Sequence, residues 1–294
     1  MKFKILFFLL VNVLLSKNML AQKDSLQLNN SRLIVAGGGI ALTLAASYWY
    51  IENSWWAEQK GSFHFDDGAD LVYALNVDKF GHFMGGLYAA DIFSSTMKWA
   101  SISKKKAVWY GALFGTSLQL AIEMKDAYAP YWGFSTWDLA TGAAGAIWPA
   151  IQYYNEDMKA INFKFSYYKR SDIYWELDRQ RGKTTNLHAW HDDYPNQTYW
   201  TSFDINHFAK TQNWPEWLNI AVGFGLDDTQ YLNNGQKVGG ANEWYIALDY
   251  NLVKMFKNWN TPIIKNVKYW LNYIHFPAPT IRVSPNFEFY LLFI

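Results

Sequence analysis

The sequence predicts an α+β protein: an N-terminal helical bundle, then an antiparallel β-rich region with a covering amphipathic helix. Three observations carry this. Between Leu33 and Tyr154 the apolar residues fall in four runs of helical length, whereas from Ile161 onward they recur at every second position. Composition is the third. Of the 294 residues 51% are hydrophobic and 19% aromatic, with 16 Trp and 20 Tyr, which suits membrane or interface contacts better than a soluble enzyme. A net charge of +1 gives no electrostatic case for nucleic acid as a partner.

Residues 1–21 read as a signal peptide. Lys2 and Lys4 supply the basic start, Ile5 to Leu15 the apolar core, and Met19-Leu20-Ala21 a small residue before a cut at Gln22. Without cysteine, the chain forms no disulfide and carries no lipidated cysteine. Residues 22–77 are expected to form an apolar helix and an aromatic connector. The helix covers Leu33–Tyr50, with Gly37, Gly38, Gly39, Ala41, Ala45 and Ala46 as small faces. Those glycines lack dinucleotide-binding spacing, and no cofactor is expected.

Residues 78–158 contain three further helices, Phe80–Lys98, Ala107–Glu123 and Thr136–Tyr154. Insertion in the inner membrane would leave Lys98 and Lys104-Lys105-Lys106 outside, against the positive-inside rule. His82, Asp91, Ser94, Ser95 and Thr96 are also costly against lipid. An exported bundle associated with the outer membrane is therefore favoured, with a four-helix inner-membrane protein as the alternative.

Short connections make sequential helices antiparallel, so polar groups at the start of the first and third meet those at the end of the second. His82, Glu123 and Asp138 are expected to share one site, with Asp78, Lys79, Lys125, Asp126 and Ser135 around it. The small residues His82-Gly85-Gly86-Ala89 and Asp138-Gly142-Gly145-Ala146 share helix faces that permit close contact. Each polar group also has an ordinary role. Asp78 suits an N-cap before Lys79, Ser135 to Asp138 suit a capping box, Glu123 suits a partner for Lys79 or Lys125, and His82 suits a satisfied buried histidine. No metal is expected, because one His among carboxylates has no recognisable ligand spacing. His188-Ala189-Trp190-His191 reads as an incidental pair in a polar loop.

Asp-Lys-x-x-His-Phe from Asp78, Glu-x-Lys-Asp from Glu123 and Gly-x-Ser-x-x-Asp-Leu from Gly133 resemble the YfiM-like family of bacterial envelope proteins, described as predicted periplasmic lipoproteins. More distantly they are similar to VanZ-like membrane proteins. The resemblance covers Asp78 to about Tyr154. It implies an envelope role and no established chemistry, and it marks Asp78, Lys79, His82, Glu123, Lys125, Asp126, Ser135 and Asp138 as the family's polar positions.

Residues 159–294 form the β-rich region. Alternation marks strands at Phe163–Tyr167, Ile173–Asp178, Tyr199–His207, Leu218–Leu226, Trp244–Tyr250 and Phe287–Phe293. Asp227-Asp228 begins a turn toward Asn233-Asn234-Gly235. Thr261 as N-cap and Pro262 open an amphipathic helix over 262–275, whose stripe of Ile263, Ile264, Val267, Trp270, Leu271 and Ile274 covers the sheet or lies on a membrane. Six strands fall short of the eight at which bacterial membrane barrels start, so a small sheet or partial barrel is expected unless Gln180–Asn196 or Asn233–Asn242 hides more. The functional expectation is an exported, non-enzymatic envelope component that contacts membrane lipid or envelope proteins. The alternative is an enzyme using His82, Glu123 and Asp138 on a lipid-linked or cell-wall substrate.

Overall fold

The computed structural model describes residues 29–54, 56, 60–130, 132–183, 190–210 and 213–294. The expected signal peptide, its cut at Gln22 and His188 lie outside the described residues. Helix α1 (Asn30–Ser54) stands beside the others. It is followed by the short α2 (Ala69–Tyr73) and then α3 (Val77–Trp99), α4 (Lys104–Asp126) and α5 (Thr136–Tyr154), which pack on one another as an up-down-up bundle.

Local chemistry sets the helix starts. Leu75 and Asn76 both take positive φ, at 47° and 68°, so the chain turns sharply and α3 begins at Val77. Asp78 therefore lies inside the first turn, and Asn76, not Asp78, occupies the cap position. Ser135 caps α5 as expected, accepting from the Asp138 amide at 3.2 Å. Between α3 and α5 only glycine fits. A Cβ on Gly145 would lie 1.9 Å from the Phe83 carbonyl oxygen, and one on Gly86 would lie 2.0 Å from the Gly142 oxygen.

The second half folds into an open six-stranded antiparallel sheet of order β1-β2-β3-β6-β7-β8. Its strands are β1 (Ile161–Tyr167), β2 (Gln197–Phe203), β3 (Leu218–Leu226), β6 (Asn242–Tyr250), β7 (Ala278–Ser284) and β8 (Glu288–Phe293). A separate hairpin pairs β4 (Gln230–Asn233) with β5 (Gln236–Gly239) around Asn234-Gly235. The sheet curls strongly: Trp200 of β2 reaches Phe293 of β8, ring centres 6.1 Å apart, with three strands between them. The edge of β1 receives a single parallel bridge from Ile274.

Two strand expectations are corrected. Ile173–Asp178 is the first part of helix α6 (Ile173–Gln180), which buries Tyr174, Leu177 and Asp178. That set follows helical spacing, and the run is apolar enough to satisfy both periods. The strand expected over Tyr199–His207 ends at Phe203, because Asp204 caps the short helix α7 (Ile205–Ala209). Strand β7 was not anticipated, since Pro279 and Arg282 interrupt its alternation.

The sheet is also inside out relative to the usual water-soluble pattern. On β3 and β6 the small and polar residues Asn219, Ala221, Glu243, Ala247 and Asp249 are buried, whereas Val222, Trp244 and Ile246 are exposed. Among the described residues, one end of the apolar face is covered, where Phe80 meets Phe224 at 5.0 Å and Phe83 meets Phe163 at 4.5 Å. After α8 (Leu252–Met255), Thr261 caps α9 (Pro262–Leu271) as expected. The α9 segment ties back to the bundle, with the hydroxyls of Tyr269 and Tyr273 donating to Asp91 of α3, the second at 2.7 Å.

Candidate functional site

The antiparallel bundle brings His82 (α3), Glu123 (α4) and Asp138 (α5) to one end. His82 Nδ1 lies 3.6 Å from Glu123 Oε1, and Nε2 lies 3.8 Å from Asp138 Oδ2. Lys79, one turn before His82, pairs with Asp78 at 2.8 Å and Asp138 at 2.7 Å. Ser135 donates its amide to Glu123 Oε2 at 2.9 Å, so the cap of α5 is fastened to the end of α4. Glu123 Oε1 is buried and has no hydrogen-bond partner among the described residues.

Two further residues belong to this arrangement. Gln119, four residues before Glu123 on the same face of α4, accepts at Oε1 from His82 Nδ1 at 3.0 Å. That i,i+4 relation was the available signal. Tyr199 of β2 was beyond sequence reasoning, because it arrives from the other half of the chain. A Cβ on Gly81 would lie 3.0 Å from its hydroxyl. The sheet thus roofs the end of the bundle.

The remaining sequence candidates divide. Asp78, Lys79 and Ser135 stand within the cluster. Asp126 is buried one turn away and accepts from Trp56 Nε1 at 2.6 Å. Lys125 turns to the other side of α4, where it pairs with Glu52 at 2.7 Å and lies over the rings of Tyr48 and Trp56. Neither Glu123 nor Asp138 relies on it.

Burial sets the electrostatics. It pushes the Glu123 carboxyl up to about 8, helped by Asp138 and Asp126 and opposed by His82. Burial alone would lower His82, but Asp138, Glu123 and Asp78 together hold it above its ordinary value. Burial, with Asp138, raises Asp78 to about 6 despite Lys79. Lys79 stands between Asp78 and Asp138, and at neutral pH Glu123 keeps its proton.

This is the geometry of an imidazole bonded to Gln119 at Nδ1 and flanked by Glu123 and Asp138. Because Nδ1 faces the Gln119 carbonyl oxygen, it is a donor and has no lone pair for a metal. The three ligand atoms lie within 4.8 Å of one another. His82 Nδ1 is already held by Gln119, so an ion bound through that nitrogen would have to displace Gln119.

A second buried network sits inside the curled sheet and was not anticipated. Lys164 pairs with Asp249 at 2.7 Å, Asp249 also binds His275 Nδ1 at 3.0 Å and accepts from Ser202 at 2.6 Å, and His275 stacks on Trp200 at 3.9 Å. His275 meets the far side of Asp249 from Ser202, so no nucleophile–base contact forms. Burial holds His275 below its ordinary value, against the pull of Asp249.

A family model described as predicted periplasmic lipoprotein (DUF2279) matches residues 65–154, from just before α2 to the end of α5. No curated protein and no solved structure matches the chain. The match contains every residue of the His82 cluster found on α3, α4 and α5. Together with the apolar helix α1 it supports an exported, envelope-located protein of unknown activity.

Proposed function

We propose that this chain is a non-enzymatic component of the bacterial cell envelope that contacts lipid at the outer membrane, with the His82 cluster as the fastening of its helical bundle. The YfiM-like and VanZ-like resemblance of the same motifs belongs to this reading. The observation that carries it is the inside-out sheet. Register aligns Val222, Ile246, Ile281 and Phe289 across four strands, and Val222, Ile246 and Phe289 are exposed. Beneath them lies the buried network of Lys164, Asp249 and His275. Apolar outside and polar inside is how strands are arranged when lipid, not water, is the outer neighbour. The exposed apolar residues of β8, including Leu291 and Leu292, extend the same surface.

One observation favours a second reading. Glu123 lies beside His82 in a buried pair, and burial raises its carboxyl to about 8, near the pH at which an acid works on a lipid-linked or cell-wall substrate. A single variant, His82→Gln, separates the two. As a fastening, its loss costs about 1–3 kcal/mol in denaturant unfolding, and complementation of a deletion strain falls only as far as the folded protein does. An enzyme would show nearly unchanged stability and no complementation. Fractionation tests the location: the full chain is expected with outer membranes, and recovery in the soluble fraction refutes the lipid-contacting reading.

A further inference from the structure

Between α1 and the bundle lies a long apolar slot that the His82 cluster does not use. Its volume is about 660 Å³, within the range of small-molecule pockets. On one wall are Ile40 and Leu44 of α1. Ala89 and Phe93 of α3 form the second, and Leu118 of α4 the third. Lining residues run along α1 from Ala36 to Ile51, fifteen steps of about 1.5 Å, so the slot is about 22 Å long. That is a shape for an extended chain, not for a compact ring system.

The far side of α1 indicates what surrounds it. Ile34 and Leu42 are three-quarters exposed there, and Trp49 nearly two-thirds. The helix is long and apolar enough to cross a membrane, and few of its residues are buried by the protein. Apolar surface thus lines both sides of α1, and the slot is partly open to the same surroundings. At one end stands Lys125, the one charged residue among the described lining residues. Its ammonium and that of Lys60 share the carboxylate of Glu52, leaving one positive charge in excess at this mouth. The hydroxyl of Tyr48 lies 3.3 Å from the Lys125 ammonium.

The geometry points to a binding site for one acyl chain of an anionic amphiphile, its tail along α1 and its head at Lys125 and Tyr48. This rests on the lipid-contacting reading and names the ligand class within it. Chain length suits the slot, its walls are mostly apolar with the few hydroxyls of Thr43, Ser47, Ser95 and Thr96, and the excess charge matches a phosphate or carboxylate head.

Cells producing the full chain are fed a fatty acid carrying a photoreactive diazirine, irradiated in place, and the protein is digested and mapped by mass spectrometry. Label is expected on 40–44 of α1 and 89–93 of α3. Filling the slot with Ala89→Phe or Thr43→Phe should lower that label about tenfold, the equivalent of about 1.4 kcal/mol. Ala41→Phe, on the exposed side of α1, should leave it unchanged. If Ala89→Phe fails to fold, Thr43→Phe decides, because Thr43 lies outside the three-helix core. Analysis of the uncrosslinked lipid that copurifies distinguishes phospholipid from free fatty acid, either of which supports the site. Label confined to the outer side of α1, or unchanged by both filling variants, overturns the proposal. If the protein still fractionates with membranes, only this inference fails; recovery as a soluble protein removes the parent reading as well.

Discussion

Gly145→Ala tests whether the contact between α3 and α5 is what assembles the site. In the native structure the added methyl would lie 1.9 Å from the Phe83 carbonyl oxygen and 2.7 Å from its carbon. Ordinary contact begins near 3.4 Å, so the two helices must part locally by about 1.5 Å. Both clashing groups are anchored, one on each backbone, and no flexible side chain can yield. Overpacking costs about 1–3 kcal/mol, the upper end applying where both groups are anchored backbone, and alanine returns about 1 kcal/mol of helix propensity, so a net loss of about 2 kcal/mol is expected. Asp138 lies seven residues earlier on the same helix, so the separation also stretches its 2.7 Å pair with Lys79. At about 2.1 cal/mol/K of unfolding entropy per residue, the loss corresponds to a fall of roughly 3 °C in Tm. Gly38→Ala is the matched control. Its Cβ meets nothing within 4 Å, so helix propensity alone acts and stability stays level or rises by up to about 1 kcal/mol. Urea unfolding monitored by circular dichroism reads both variants. Equal stability of Gly145→Ala and the wild type would refute the close-contact account.

Other outcomes follow from the buried charges. The folded Glu123 carboxyl is raised to about 8 from an ordinary value of 4.5, so its contribution is fully present below about 4.5 and is lost as pH rises through about 8. Glu123→Gln, which resembles the protonated acid, should flatten that fall in a series of unfolding curves between pH 4.5 and 8, while an unchanged slope would place the proton elsewhere. His82 has its raised value in the same direction, so a residual slope of the same sign should survive in the variant. Lys164→Met should cost about 3–5 kcal/mol in the same assay, because it strands Asp249 without its cation in a closed interior. Adding Asp249→Asn should recover part of that loss, and a single variant as stable as the wild type would mean that water already reaches the pair.

The α+β division, the helices α3 to α5 and the meeting of His82, Glu123 and Asp138 were legible in the sequence, for a local reason. Helical period, the Ser135 cap and the short connections are each written within a few residues, and together they place three positions at one end of a bundle. The strands β1, β3 and β6 were legible in the same way. The sequence was ambiguous where one run satisfied two periods, as at Ile173–Asp178, and where proline and arginine broke an alternation, as in β7. Tertiary structure alone decided which face of the sheet is buried. Alternation reports that two faces differ but not which one meets water. Curling of β2 toward β8 enclosed the Lys164, Asp249 and His275 side and left Val222, Ile246 and Phe289 outward. It also decided the neighbours of each charge. Lys125 and Asp126 are adjacent in the chain, yet successive helical positions point about 100° apart, so Lys125 pairs with Glu52 of α1 while Asp126 is buried and accepts from Trp56. Which charges share a site is set by the rotation of packed helices and by a roof arriving from a distant strand, and neither is encoded within any short stretch of sequence.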